Sequence, residues 1–133
     1  MTGLMALAGF TAVTLLLPLI YAGYRVPLVL SRAKAADHWT RGRPEDDPGL
    51  IIRLKHAHLN CLENLAPFAA VVLLAVALDQ HAVIDALAPF VLYARLVQIG
   101  VHSLGTSFPL VLVRATMFIA QVILMLYMLY CLV

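Results

Sequence analysis

The stretch HAHLNCLENLAPFAAVVLLAVAL, residues 56–78, combines two features that decide the fold of this protein. Its second half is almost uninterrupted apolar sequence, whereas its first half carries histidines, asparagines and a glutamate. An apolar helix of about 20 residues spans the roughly 30 Å hydrocarbon core of a bilayer. Hydrogen-bonding and ionisable groups inside such a segment are costly unless they have partners or a function. The stretch therefore predicts a membrane helix with a polar site on it.

The rest of the 133-residue chain is equally apolar, with 63% hydrophobic and 12% charged residues and a mean hydropathy of +0.95. A soluble domain of this size cannot bury that much apolar surface. The runs are too long for barrel strands and lack their alternation, so we expect an all-α integral membrane protein, a four-transmembrane-helix bundle forming a single domain over residues 1–133. The predicted helices cover about residues 4–30, 50–78, 82–104 and 110–133.

A polar loop, residues 31–49, follows the first predicted helix. Pro18 and Pro27 are expected to kink or end that helix, and Asp47 to cap the second one. The first apolar run lacks a basic leader and is too long for a signal sequence, so we expect it to be retained as a membrane helix. The formal net charge of +2 predicts no nucleic-acid partner, and lipids are the expected surroundings.

Basic residues set the expected orientation. Most lie in or beside the 31–49 loop, one lies just after the third loop, and neither the second loop nor the termini carry any. The positive-inside rule then places the first and third loops in the cytoplasm and both termini on the opposite side.

Polar residues form stripes on the predicted helices, because residues three, four and seven apart share a helix face. The stripe of the second helix is Arg53, His56, Asn60 and Glu63, and the stripe of the third is Arg95, Gln98 and His102. The groups expected at similar depth near the cytoplasmic end are His56, Asn60 and Glu63; Gln98 and His102; and Arg114. Groups at similar depth on packed helices are expected to meet in one pocket that faces the cytoplasm.

The side chains of that pocket suit a small zwitterion. Guanidinium groups match carboxylates, and Glu63 matches an ammonium group. Apolar walls between the helices suit a lipophilic second substrate that enters from the bilayer. No metal is expected, because His56 and His58 lie on different helix faces and no HxxxH or CxxC spacing is present.

Other interpretations of the same residues are open at this point. Asn60 and Asn64 are also typical of interhelical hydrogen bonding in membrane bundles. Glu63 is a candidate for a structural ion pair with Arg95 or Arg114. A lone membrane carboxylate also suits a small proton-coupled exporter, although such exporters need it near the midplane and Glu63 is expected nearer the cytoplasmic end.

The segment HAHLNCLENLAPF closely resembles the second-helix motif of the MAPEG family, the membrane-associated proteins of eicosanoid and glutathione metabolism. Ala94-Arg95-Leu96 resembles an element of that family's third helix, and Arg114 lies where the family has an arginine at the start of its fourth helix. The resemblance covers nearly the whole chain. The matching residues of the second helix are Ala57, His58, Asn60, Glu63, Asn64, Pro67 and Phe68.

The resemblance implies a homotrimer with glutathione as co-substrate, bound between neighbouring subunits. Arg114 is then the catalytic residue that stabilises the thiolate, and Arg95 is a structural or ion-pair candidate. The expected activity is that of a membrane glutathione transferase or peroxidase acting on a lipophilic electrophile or hydroperoxide. The implied glutathione-binding residues are Asn60, Glu63, His56, Arg53, Gln98, His102, Arg32 and Phe118.

The chain departs from the family pattern that it resembles at four positions. His56 stands where the family usually has arginine, and His102 stands where it has a tyrosine near the end of the third helix. Ala115 and Phe118 stand where some members have serine and tyrosine. Because these changes remove hydrogen-bond donors, a non-catalytic membrane scaffold is the alternative to the enzyme.

Overall fold

The computed structural model describes all of residues 1–133 and contains four helices. Each is long and apolar enough to cross a membrane. The protein is therefore an all-helical, multi-pass integral membrane protein, as predicted, and the predicted helix ends agree with the observed ones to within two residues. The helices are α1 (Gly3–Leu30), α2 (Gly49–Ala77), α3 (His81–Leu104) and α4 (Phe108–Leu132).

The prolines of α1 do not end it. Pro18 and Pro27 both lie inside the continuous helix, and Pro67 and Pro89 lie inside α2 and α3 in the same way. Of the kink or end expected at each of these prolines, a helix end is not observed, because lipid offers no water to the backbone groups that a break would expose. Membrane helices therefore tolerate a proline that would end a helix in water.

The bundle is asymmetric. Helix α1 packs on α2 and α3, whereas α4 packs along α3, meets α2 over a short stretch and does not touch α1. Close approach of α1 and α3 depends on glycine at Gly3, where a Cβ would lie 2.9 Å from Cγ1 and 3.0 Å from Cβ of Ile84. The loose contact between α2 and α4 leaves a cleft at the end of the bundle that carries the 31–48 and 105–107 connections, here named the loop end.

The 31–48 loop is fastened to α1 through Asp47. Its carboxylate accepts hydrogen bonds from Nε and Nη2 of Arg25 at 2.9 and 2.5 Å and from Nε1 of Trp39 at 2.9 Å. The expected cap on α2 is not formed, since Pro48 is the N-cap residue and no side chain caps the helix. The side chain of Asp47 is only 2% exposed. Its carboxylate pairs with the guanidinium of Arg25 and therefore does not cap α2.

Replacing Asp47 with alanine is expected to lower the free energy of unfolding by about 3 to 5 kcal/mol, because it leaves a largely buried arginine unpaired. The measurement is unfolding in detergent, together with trypsin cleavage within residues 31–48, which should become faster. Equal stability and equal cleavage would show that Arg25 and Asp47 do not fasten the loop.

Asp46 provides the matched control. Its exposed carboxylate accepts hydrogen bonds from His38 and Lys34, which lower its pKa to about 2. Because the folded pKa is depressed, this contribution is present at neutral pH and is lost only as the pH falls through about 2. Replacing Asp46 with alanine is expected to change stability little, because exposed ion pairs contribute little.

Candidate functional site

A cavity of about 650 Å³ lies at the loop end between α2, α3 and α4. Its lining is mostly polar and includes both arginine and glutamate. The pocket predicted from the polar stripes is therefore present as a cavity. The lining residues are Gly49, Ile52, Arg53, His56, Leu59, Asn60, Glu63, Gln98, His102, Thr106 and Arg114.

A second, smaller cavity of about 300 Å³ adjoins the first. The two share Asn60, Gln98 and Arg114. The remaining wall of the second cavity is apolar and belongs to α4, which contributes Val111, Ala115, Phe118 and Ile119. Arg114 thus stands where a polar space meets an apolar one.

The structure brings together eight of the ten residues singled out from the sequence. Phe118 lines the second cavity only, and the other seven line the first. Arg32 is exposed beyond the end of α1, with a φ of 59°, and does not line either cavity of its own subunit. Arg95 lies behind the cavity wall.

The ion pair between Glu63 and Arg95, one of the alternatives that the sequence left open, is not formed. Arg95 is 1% exposed and has no carboxylate partner. Its Nη1 donates to Oδ1 of Asn60, and its guanidinium carbon lies 5.0 Å from the ring centre of Phe10. Arg95 points into the core, whereas Glu63 lies on the exposed side of α2, so the two charges face different directions.

The charged groups around the first cavity have few partners within the subunit. Arg114 and Glu63 make no ion pair or side-chain hydrogen bond, so the alternative pairing of Glu63 with Arg114 is also absent. Arg53 donates from Nε to the carbonyl oxygen of Ser103 at 3.2 Å, which leaves the rest of its guanidinium free. These two arginines and the one carboxylate are therefore available to a ligand.

Glu63 stands at the midpoint of the 29-residue helix α2. This helix is longer than the roughly 20 residues that span the hydrocarbon core, and its first two turns include the charged residues Arg53 and Lys55. The position of Glu63 nearer the loop end of the apolar span therefore stays a prediction. The cavity reaches along α2 from Gly49 to Glu63.

Sequence reasoning missed Gln121, which is completely buried in α4. Its Nε2 donates to Oε1 of Gln98 at 2.9 Å, and Nε2 of Gln98 donates to Oδ1 of Asn60 at 3.1 Å. The available signal was a lone glutamine in the middle of an otherwise apolar helix. A polar group there is costly without a hydrogen bond, so it predicts a partner on a neighbouring helix.

The comparison with protein families bears directly on these residues. The family model described as "MAPEG family" matches residues 3–133, essentially the whole chain. The chain belongs to the MAPEG family. No match was found among curated proteins or among solved structures. The family includes glutathione transferases and related enzymes.

The MAPEG motif of α2 divides between the cavity and the core. Asn60 and Glu63 line the cavity, whereas Phe68 is buried with its ring centre 5.5 Å from that of Phe10. Nδ1 of His58 lies 2.9 Å from the hydroxyl of Tyr21 on α1. Asn64 is buried and donates to the backbone oxygen of Asn60 at 3.1 Å. Two of the seven motif residues thus line the cavity, whereas His58, Asn64 and Phe68 make contacts within the bundle.

Proposed function

We propose that this MAPEG protein is a membrane-bound glutathione transferase or peroxidase-like enzyme. It activates the thiolate of glutathione against lipophilic electrophiles or hydroperoxides. The observation that carries the proposal is the position of Arg114, an unpaired cation where the polar cavity meets the apolar one. That is where a thiol of a polar tripeptide has to meet a lipophilic partner.

The size and charge of the first cavity support glutathione as the co-substrate. Its volume of about 650 Å³ lies within the range of small-molecule sites. Arg53 is available to a carboxylate, Arg114 to the thiolate, and Glu63 to an ammonium group. Glutathione carries two carboxylates, one ammonium and one thiol, so every unpaired charge of the cavity has a counterpart on it. Gln98, His102 and His56 complete the proposed lining.

The proposed chemistry begins with the thiol proton. A free thiol with a pKa near 8.5 is only a few per cent thiolate at neutral pH, and a nearby guanidinium increases that fraction. The thiolate then forms a bond to an electrophilic carbon and displaces its leaving group. With a hydroperoxide, it takes the outer oxygen and breaks the O–O bond, and the alkoxide collects a proton to become an alcohol. A second glutathione then forms the disulfide and releases water.

The exposure of Glu63 supports assembly into a homotrimer. Glu63 lies within the membrane-spanning helix α2, on a side that its own subunit leaves open. An ionised side chain facing lipid costs about 2.5 to 3.5 kcal/mol or more near the centre of a span. A neighbouring subunit removes that cost by covering the cleft, and Arg32 then reaches glutathione only from such a neighbour. We place the loop end in the cytoplasm and both termini opposite, on the distribution of basic residues.

The exposed, unpaired carboxylate of Glu63 on a membrane-spanning helix is the observation behind a second candidate, a small proton-coupled exporter. Such a protein uses a carboxylate near the midplane to exchange protons for a lipophilic cation. It leaves the unpaired Arg114 and Arg53 unexplained, because they repel a cationic cargo. We therefore rank the enzyme first.

The substitution Glu63→Gln separates the two. For the enzyme, it is expected to weaken glutathione binding about 10- to 100-fold, through loss of a charge-assisted contact with the ammonium group. Binding is followed through the ultraviolet absorbance of the thiolate in detergent-purified protein, with Asp79→Asn, on the opposite connection, as the matched control. Wild-type vesicles that show proton-driven dye efflux, lost in Glu63→Gln, together with no glutathione binding, would favour the exporter.

A further inference from the structure

A chain of side-chain amides crosses the bundle behind the cavity. It begins at Gln121 of α4, passes through Gln98 of α3 and ends at Asn60 of α2. Gln121 is completely buried and lines neither cavity, whereas Asn60 lines both. The chain therefore connects a buried side chain to the surface that a ligand meets.

The two ends of this chain fix the direction in which every amide points. At one end, Nε2 of Gln121 donates to the backbone carbonyl of Met117 at 2.8 Å, and a carbonyl oxygen can only accept. At the other end, Arg95 donates to Oδ1 of Asn60, and a guanidinium can only donate. The amide of Gln98 is consistent with both ends of the chain. Its Oε1 accepts from Nε2 of Gln121, and its Nε2 donates to Oδ1 of Asn60.

Reversal of any one amide is unfavourable. A reversed Gln121 would set its oxygen against the oxygens of both Met117 and Gln98. A reversed Asn60 would set its NH2 group against two donors, Arg95 and Gln98. The observed direction is kept although it leaves Oε1 of Gln121 buried without a partner, which indicates that the contacts on the nitrogen side decide it.

The consequence reaches the cavity at Asn60. Its side-chain oxygen accepts from two donors, Arg95 and Gln98. Its NH2 group makes no hydrogen bond within the protein. Both of its N–H bonds are therefore free to donate to a ligand. A group bound there has to be an acceptor, such as a carboxylate, and not an ammonium.

We propose that Gln121, Gln98 and Arg95 are positioning residues that hold the amide of Asn60 with its NH2 group towards the cavity, where it binds a carboxylate of the ligand. The direction of the amide stands on the hydrogen bonds alone. The assignment of the carboxylate to glutathione rests on the proposed function. Under this assignment, a carboxylate of glutathione binds Asn60 and its ammonium group binds Glu63, one turn further along α2.

The direction of the amide can be tested without any ligand. Protein labelled with 15N in asparagine and glutamine side chains is expected to exchange the NH2 protons of Asn60 with water at least about 10-fold faster than those of Gln121, since only the former face an open space. In Gln121→Leu, the Asn60 signals should broaden or double as the amide loses its anchor. Asn60 protons protected as strongly as those of Gln121 would overturn the proposal.

The ligand is tested with reduced glutathione and its two monoamides, each of which has one carboxylate converted to an amide. The wild type is expected to bind one of the monoamides about 10-fold more weakly than glutathione, because a charge-assisted hydrogen bond is replaced by a neutral one. Asn60→Asp is expected to bind that monoamide more tightly than glutathione. The new carboxylate repels the carboxylate of glutathione but accepts a hydrogen bond from the amide of the monoamide. Gln121→Leu should reduce the preference, whereas Thr116→Val on the exposed side of α4 should not.

The outcomes separate this proposal from the proposed function. Rapid exchange at Asn60 with no glutathione binding by the wild type overturns the proposed function and supports the positioning of the donor. Glutathione binding with an unchanged preference in Asn60→Asp supports the proposed function and overturns the assignment of a carboxylate to Asn60. A purely structural role for Gln121 predicts lower stability with an unchanged preference.

Discussion

Replacing Arg114 with alanine is expected to abolish the thiolate absorbance that reduced glutathione develops in the wild-type protein, and to lower turnover of an electrophile about 100-fold or more. Removal of one group that stabilises developing negative charge typically costs this much. Arg114 lines both cavities and has no partner in its subunit, so its positive charge is available to the thiol sulfur. The measurement is ultraviolet difference absorbance at neutral pH as glutathione is added, followed by turnover of a lipophilic electrophile.

The same substitution is expected to leave stability nearly unchanged, within about 0.5 kcal/mol, because no partner in the subunit loses a contact. Arg114→Lys keeps the charge but loses the planar fork, so it should retain part of the thiolate signal. Arg41→Ala, in the exposed loop, is the control for a general loss of positive charge. Turnover that survives in Arg114→Ala would exclude the proposed role.

The wild-type measurement also decides between the enzyme and a scaffold. A stable assembly that develops no thiolate signal at millimolar glutathione would favour the non-catalytic scaffold. The structure shows where such a loss would originate. Ala115 and Phe118 both line the second cavity, so the replacement of serine and tyrosine removes two hydroxyl donors beside Arg114 and makes the space for the second substrate more apolar.

The sequence was sufficient for the helices and for most of the site. Helix ends were predictable because the length of each apolar run is set by the bilayer thickness. The lining of the first cavity was predictable because helical periodicity places Arg53, His56, Asn60 and Glu63 on one side of α2. Both predictions depend only on spacing along one helix, which can be read directly from the sequence.

Contacts between helices were not predictable in the same way. The sequence left a pairing of Glu63 with Arg95 open, because the two charges are opposite and periodicity along one helix does not decide contacts between helices. The rotation of each helix about its own axis decides which polar residue of α2 faces α3. In the structure, Asn60 and not Glu63 lies against Arg95. The position of Arg32 depends on the path of a loop, which periodicity does not describe.

The resulting arrangement leaves Arg95 as a buried cation without a counter-charge. Nε and Nη2 have no oxygen or nitrogen partner, and the neutral groups that contact the guanidinium include one amide oxygen, the face of Phe10 and the thiol of Cys61. Burial of a charge under these conditions opposes folding. A residue that costs stability and also orients Asn60 is expected to show opposite effects on folding and on binding when it is removed.

Replacing Arg95 with methionine is therefore expected to raise the free energy of unfolding by about 1 to 4 kcal/mol while weakening glutathione binding about 10-fold. Methionine fills a similar space, carries no charge, and its sulfur makes favourable contacts with an aromatic ring such as Phe10. Binding weakens because the oxygen of Asn60 loses its stronger donor, so the amide is free to turn its oxygen towards the ligand. Arg95→Lys keeps a buried charge and should gain no stability. Unfolding in detergent and the glutathione titration together measure both effects, and a methionine variant less stable than the wild type by 2 kcal/mol or more would show that the contacts of Arg95 outweigh the cost of burying it.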